Sequence, residues 1–183
     1  MIIYIHGFAS SGFGGKATLF KKYYGDGIYC PTLSHIPKLA LDTLDQLIQM
    51  QLKNNETIHL IGSSLGGFYS IYLANKYNLK AVLINPAIFP YKTLDKIGQA
   101  THYFDMSTFE VTQGHLEFLT NLDVKLPNNE KNFLLLLQKG DETLNYEEAV
   151  LKLENSKMII EEGGTHSFEG IERYFKDIDS FFN

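Results

Sequence analysis

Short apolar runs alternate along this chain with segments that are apolar on one side only. Ile2–Ile5 is a strand-length run that ends at His6-Gly7, and residues 28–30 form a second, stopped by Pro31. Residues 15–24, between them, carry a helical pattern. Residues 38–53 place Leu41, Leu44, Leu47, Ile48 and Leu52 on one side and Asp42, Asp45, Gln46 and Gln49 on the other, the stripe of an amphipathic helix. Residues 57–61 alternate and are β-branched, which predicts a strand, and residues 68–74 behind them are apolar at helical spacing. Residues 81–84 give a further strand, closed by Asn85-Pro86. Residues 132–138 contain Phe-Leu-Leu-Leu-Leu, apolar on both faces like a central parallel strand. Residues 158–161 are the last strand and residues 171–182 a final amphipathic helix.

Six strands separated mostly by helices predict an α/β fold, with a mostly parallel sheet and helices on both faces. Ligands in such sheets bind at the carboxyl ends of the strands. Residues 90–131 break the alternation and show no strand pattern. They hold Tyr91, His102, Tyr103, Phe104, Phe109, His115 and Phe118. A long insertion after a strand end is expected to serve function, here as a partly helical cap over the site, with Tyr103, Phe104, Phe109 and Phe118 as candidate substrate contacts. The alternative is a surface excursion whose aromatics pack down onto the domain.

Composition narrows the partners. At 183 residues, 44% hydrophobic and 20% charged, the chain is read as one globular domain, 1–183. A net charge of -5 argues against nucleic acid and against an anionic membrane surface. Cys30 is the single cysteine, so no disulfide forms within the chain, which fits a reducing compartment. No apolar run approaches the length of a membrane span, and the apolar start is too short for a signal peptide. The expectation is a cytoplasmic protein without membrane insertion.

Chemistry concentrates at Gly62-Ser63-Ser64-Leu65-Gly66, a G-x-S-x-G nucleophile elbow set between the 57–61 strand and the following helix. Such a turn holds its central serine in a strained conformation at a helix N-terminus, where free N–H groups favour negative charge. A hydroxyl is a poor nucleophile at neutral pH, so Ser64 needs a base and an acid that orients the base. The chain order of this arrangement is serine, acid, histidine. His6, His35 and His59 precede Ser64, and His102 and His115 lie in the insertion. His166 follows the last strand after Gly163-Gly164, which makes it the candidate base. Asp141, in Gly140-Asp141-Glu142 after the 132–138 strand, is the candidate acid; the competing reading is a turn residue or a cap for the helix beginning near Leu144. The expected oxyanion donors are the backbone N–H groups of Leu65 and of Phe8, in the loop after the first strand. His6 is read as holding that loop.

Two other signals fail on inspection. Ser10-Ser11-Gly12-Phe13-Gly14-Gly15-Lys16 imitates a phosphate loop, but Ser10 stands where the first glycine belongs and Ala17 where Ser or Thr holds magnesium. Gly12, Gly14 and Ala17 also imitate a dinucleotide fingerprint, yet residues 31–37 contain no acid to meet a ribose. The histidines lack metal-ligand spacing, so neither metal nor cofactor is expected.

Five blocks resemble the YqiA-like esterases, small members of the α/β-hydrolase superfamily. They are His6-Gly7-Phe8, residues 62–67, Asn85-Pro86-Ala87, residues 140–146 and residues 163–168, in order along nearly the whole chain. The resemblance implies a compact α/β-hydrolase fold lacking the first two strands of larger members. It implies esterase activity on small-molecule acyl esters or thioesters, with Ser64, Asp141 and His166 as triad. Two other readings stay open: a ligand-binding protein of this fold without turnover, and a carbon–carbon hydrolase or acyltransferase on the same triad.

Overall fold

The computed structural model describes residues 1–94 and 98–183. Six parallel strands form one sheet: β1 (Ile2–Ile5), β2 (Ile28–Tyr29), β3 (His59–Ser63), β4 (Lys80–Ile84), and two strands that follow the 90–131 insertion, Phe133–Gln138 and Lys157–Glu161. The helices are α1 (Gly15–Tyr24), α2 (Pro37–Lys53), α3 (Leu65–Tyr77), α4 (Pro90–Thr93), α5 (Gln113–Leu122), α6 (Tyr146–Lys152) and α7 (Phe175–Phe182). The insertion adds two short strands, β5 (Gln99–Thr101) and β6 (Thr108–Glu110), so the last two sheet strands are β7 and β8. The order across the sheet is β2-β1-β3-β4-β7-β8.

The period-two pattern of the strands sorts the core into two layers. Ile3, Ile5, Leu60, Leu83 and Leu135 face α2, α3, α5 and α6. Tyr4, Ile61, Val82, Ile84 and Leu136 face α1 and α7. β7 is buried along its whole length, as its unbroken apolar run predicts. The stripe of α2 turns Leu44 and Ile48 fully inward, leaves Leu41 and Leu47 partly covered, and leaves Leu52 exposed near the helix end. Because β1 pairs with both β2 and β3, the direction of winding reverses between β1 and β3. The loops after these two strands diverge and leave a crevice at their carboxyl ends.

Several elements differ from the sequence reading. β3 continues through Gly62 and Ser63, because its ladder to β4 runs on to Ser63 opposite Ile84. The last helix opens with a tighter 3-10 turn over Ile171–Tyr174. The insertion is not free of strands: β5 and β6 pair as an antiparallel hairpin, too short for alternation to register in the sequence. α5 buries Leu116, Leu119 and Leu122 in the same core as α2 and α3. Within 90–131, residues 95–97 lie outside the described residues. Among the described residues no helix is long and apolar enough to cross a membrane.

The crevice depends on glycines that let backbones touch. A methyl group on Gly66 would run into the Ile5 carbonyl, and one on Gly62 into the Gly66 carbonyl and the Ser70 hydroxyl. Gly66→Ala should therefore lower the unfolding free energy by about 3 kcal/mol. Gly27→Ala, where a methyl meets open space, should change it by less than about 0.5 kcal/mol. Urea denaturation of the two variants checks the contrast.

Candidate active site

Ser64 is the turn residue between β3 and α3, at φ 55° and ψ -121°. Such a conformation persists only where the surroundings enforce it. Here the Ser64 N–H donates to the Ile84 carbonyl at 3.1 Å, and the Ser64 carbonyl accepts from Gly67 at 2.9 Å and from Ala87 at 3.0 Å. The end of β4 thus braces the turn from both sides. The hydroxyl stands at the N-terminus of α3, whose first turn carries no acidic residue.

His166 Nε2 lies 3.0 Å from Ser64 Oγ, and its Nδ1 lies 2.8 Å from Asp141 Oδ2. The three side chains expected from the sequence therefore meet in one hydrogen-bonded line. Asp141 does not cap the following helix: α6 begins at Tyr146 and Asn145 is its N-cap, so Asp141 closes the turn before it. Its Oδ1 accepts from the Thr143 N–H at 2.9 Å and the Leu144 N–H at 2.8 Å, while Oδ2 faces the imidazole. Its side chain is only 2% exposed. Burial pushes the carboxyl up, but the His166 ring and the two backbone donors outweigh it and hold the pKa below the ordinary aspartate value.

The loop after β1 faces the hydroxyl. Gly7 packs against Ser64, with room for nothing larger than hydrogen on its α-carbon without a tight contact to the Ser64 Cβ. Among the described residues, neither the Phe8 N–H nor the Leu65 N–H donates a hydrogen bond. His6 fixes this loop: Nδ1 is 2.8 Å from the Gly7 carbonyl, and Nε2 accepts from the Leu33 N–H at 3.0 Å. That acceptor role requires a neutral ring. Burial supplies it by pushing the His6 pKa down, with His102 adding to the effect and the Gly7 carbonyl opposing it.

A cleft of about 810 Å³ opens over Ser64 and His166. Pro90, Thr93, Leu94, Ala100, Thr101 and Tyr103 supply its wall from the insertion. Of the four aromatics expected at the substrate, Tyr103 lines the cleft and the other three do not. Phe104 stacks on Phe13 with centroids 5.3 Å apart, Phe109 meets Phe8 edge-on at 5.4 Å, and Phe118 packs onto the core beneath α5. The hairpin therefore grips the loop after β1, and the Tyr103 N–H donates to the Ala9 carbonyl at 2.9 Å.

Residues 1–183, the whole chain, match UPF0227, described as an uncharacterised protein family. The chain belongs to this family. It is similar to the UPF0227 protein YcfP of Escherichia coli, at 26% identity over 189 residues, covering 99% of this chain and 98% of YcfP. The relationship expected from the five sequence blocks holds at this level. Among solved structures, Est1E from Butyrivibrio proteoclasticus superposes with a TM-score of 0.73 at 16% identity, covering 98% of this chain and 85% of that one. Mouse alpha/beta hydrolase domain-containing protein 10 gives 0.71 at 17%, covering 98% and 88%. The Paleococcus ferrophilus monoacylglycerol lipase gives 0.67 at 16%, covering 99% and 93%. The fold of this UPF0227 chain is that of the α/β-hydrolases.

Two buried amides that sequence reasoning gave no role hold the His166 loop. Asn85, at φ 38° just past β4, accepts from the Gln138 N–H at 2.9 Å. Its amide donates to the Thr165 carbonyl at 3.0 Å and the His166 carbonyl at 3.3 Å. Gln138, at the end of β7, accepts from the Thr165 and Glu169 N–H groups and donates to Glu161 and the Glu169 carbonyl. Each is a polar residue closing an otherwise apolar strand, and Asn85 also stands in one of the five blocks that carry the family resemblance. Asn85→Ala leaves the Gln138 N–H and two loop carbonyls without this partner, and should cost about 1–3 kcal/mol of unfolding free energy. Denaturant titration measures it; a loss within error of zero would mean the loop is held by its other bonds alone.

Proposed function

We propose that this protein is a serine hydrolase that cleaves small-molecule carboxylic esters or thioesters without a cofactor. The observation that carries the reading is the line Asp141–His166–Ser64; the N–H groups of Phe8 and Leu65 donate no hydrogen bond among the described residues and so are available to a substrate. Ser64 Oγ attacks the acyl carbonyl while His166 Nε2 takes its proton. Asp141 accepts the Nδ1–H, keeps the ring in the useful tautomer, and stabilises the imidazolium. The Phe8 and Leu65 N–H groups meet the charge that develops on the carbonyl oxygen. His166 then returns the proton to the departing alcohol or thiol. Water, deprotonated by the same ring, releases the acid and restores the serine.

The neighbours of the same fold include a protein named as a monoacylglycerol lipase and the Pyrococcus furiosus esterase Pf2001, which supports ester chemistry. In this reading the domain is single, 1–183, and the 90–131 insertion is a cap whose Pro90–Thr93 helix and Tyr103 border the substrate. The substrate is a small acyl compound rather than nucleic acid, in keeping with the net charge of -5. The protein works in the cytoplasm, where Cys30 stays a thiol; burial raises its pKa to about 11 and keeps it unreactive.

A fluorophosphonate probe should label the native protein at one site, and Ser64→Ala should abolish the label. Labelling of the alanine variant would mean another nucleophile. Asp141→Asn keeps an oxygen for the Thr143 and Leu144 donors but presents the wrong partner to His166, and should lower kcat by about three to four orders of magnitude. The pH profile separates the two partners. With its carboxyl held below the ordinary range, Asp141 stays ionised through mild acid. Any loss of kcat/KM on acidification above the carboxylate range must therefore come from a group other than Asp141, and in this mechanism that group is the base His166. A limb that stays flat until the carboxylate range would remove His166 from the role of base.

A further inference from the structure

The glycine-rich segment that failed as a phosphate loop lies in the wall of the cleft. Ser10, Gly14, Gly15 and Lys16 all line it, together with Ser167. Lys16 is the only Lys or Arg among the described residues that do so. Its ammonium donates to the Ser167 carbonyl at 2.6 Å. An ammonium carries three protons, and the other two have no partner among the described residues. No described carboxylate pairs with it: Asp141 Oδ1 and Oδ2 are taken up by backbone donors and by His166, and Glu172, the other acid on the cleft wall, is exposed. A partly desolvated ammonium with no directly paired carboxylate, and only the charge of Asp141 acting from further off, gains free energy when an anion completes it.

The position of Lys16 says on which side of the scissile bond that anion belongs. Ser167 follows His166 directly, and His166 delivers its proton to the leaving group. The Lys16 ammonium is tied to that same loop. Phe8, Leu65 and Leu94, which also line the cleft, carry no charge and suit an acyl chain.

We propose that Lys16 is a specificity-determining residue that binds an anionic group, carboxylate or phosphate, on the alcohol or thiol half of the substrate. This rests on the hydrolase reading and sharpens it: the substrate is an acyl ester or thioester whose leaving group carries negative charge. The surroundings of Lys16 support the assignment. Burial pulls its pKa down to about 8, with Asp141 opposing, so the charge is present at neutral pH and fades in mild alkali. The other titratable groups on the cleft are Tyr4, Tyr103, His166 and Glu172.

The test compares hexanoyl esters of para-hydroxybenzoate, of para-hydroxyphenyl phosphate and of the neutral methyl para-hydroxybenzoate. The readout is the ratio of kcat/KM for each anionic ester to that for the neutral one, in the native protein, Lys16→Met and Lys16→Arg. Met keeps the length of the stem and removes the charge; Arg keeps the charge. The expected result is that Met lowers the ratio about tenfold through KM for at least one anionic ester, that Arg retains most of it, and that added salt erodes it in the native protein. The arm that responds more strongly, carboxylate or phosphate, names the anion. If Met reduces all three esters by the same factor, Lys16 merely ties down the His166 loop and the proposal falls. If the charge preference appears only with hemisuccinate esters of a neutral alcohol, the anion belongs to the acyl half and the placement is wrong.

A second readout needs no turnover. The free products para-hydroxybenzoate and para-hydroxyphenyl phosphate should slow fluorophosphonate labelling of Ser64 more than the methyl ester of the first does, and Lys16→Met should remove the difference. Labelling of Ser64 with no such difference overturns the role of Lys16 alone, whereas failure to label Ser64 at all overturns the hydrolase reading with it.

Discussion

The site depends on one close approach. The end of β1, the turn after β3 and the first turn of α3 meet with only hydrogen atoms between their backbones, at Gly7, Gly62 and Gly66. That contact allows Ser64 to occupy a conformation with positive φ, and the bonds from Ile84 and Ala87 prevent it from relaxing. Everything else at the site is referred to this point. The β1 loop, which carries Phe8, is held against the turn that leads into Leu65. His166 reaches the hydroxyl from the loop after β8, which Asn85 past the end of β4 and Gln138 at the end of β7 hold in place. The parallel winding supplies the location, and the glycines supply the distances.

A second constraint is the satisfaction of buried polar groups. The His166 loop crosses the ends of β4 and β7, where its carbonyls and N–H groups lose access to water. Asn85 and Gln138 replace that water, each using both the oxygen and the nitrogen of its amide. Asp141 follows the same economy, since one oxygen closes the turn that positions it while the other faces the imidazole. A loop fixed from several directions keeps His166 in place with little reorganisation, which is the condition for effective proton transfer under the proposed mechanism.

The sequence was legible where a periodic signal or a strained motif had to be met by a particular residue type. β1 and α1 fall at the bounds that periodicity predicts, and the continuous apolar run of β7 marks a strand covered on both faces. Ser64, Asp141 and His166 were found because each ends a strand and their order along the chain is fixed. The β5–β6 hairpin was not legible: three residues per strand, mostly exposed, leave no alternation to read. Asn85 stood in a family block and Gln138 only at a strand end, and the role of neither was legible, since hydrogen-bond partners far apart in the chain leave no local trace. The aromatics of the insertion misled for a related reason. Apolar character marks burial, and burial at a substrate and burial in a core read alike.

That distinction changes how the insertion works. α5 belongs to the helical layer on one face of the sheet, with Leu116, Leu119 and Leu122 in the main core, so it cannot swing as a lid without opening that core. The hairpin is different. It is tied to the domain through Phe8, Ala9 and Phe13, the loop that also carries one of the candidate oxyanion donors. Displacing the hairpin to admit a substrate would remove the Phe109 contact with Phe8 and the Tyr103 bond to Ala9, and so loosen the loop that must be rigid in the transition state. The hairpin is thus packed onto the same short loop that Gly7 presses against Ser64.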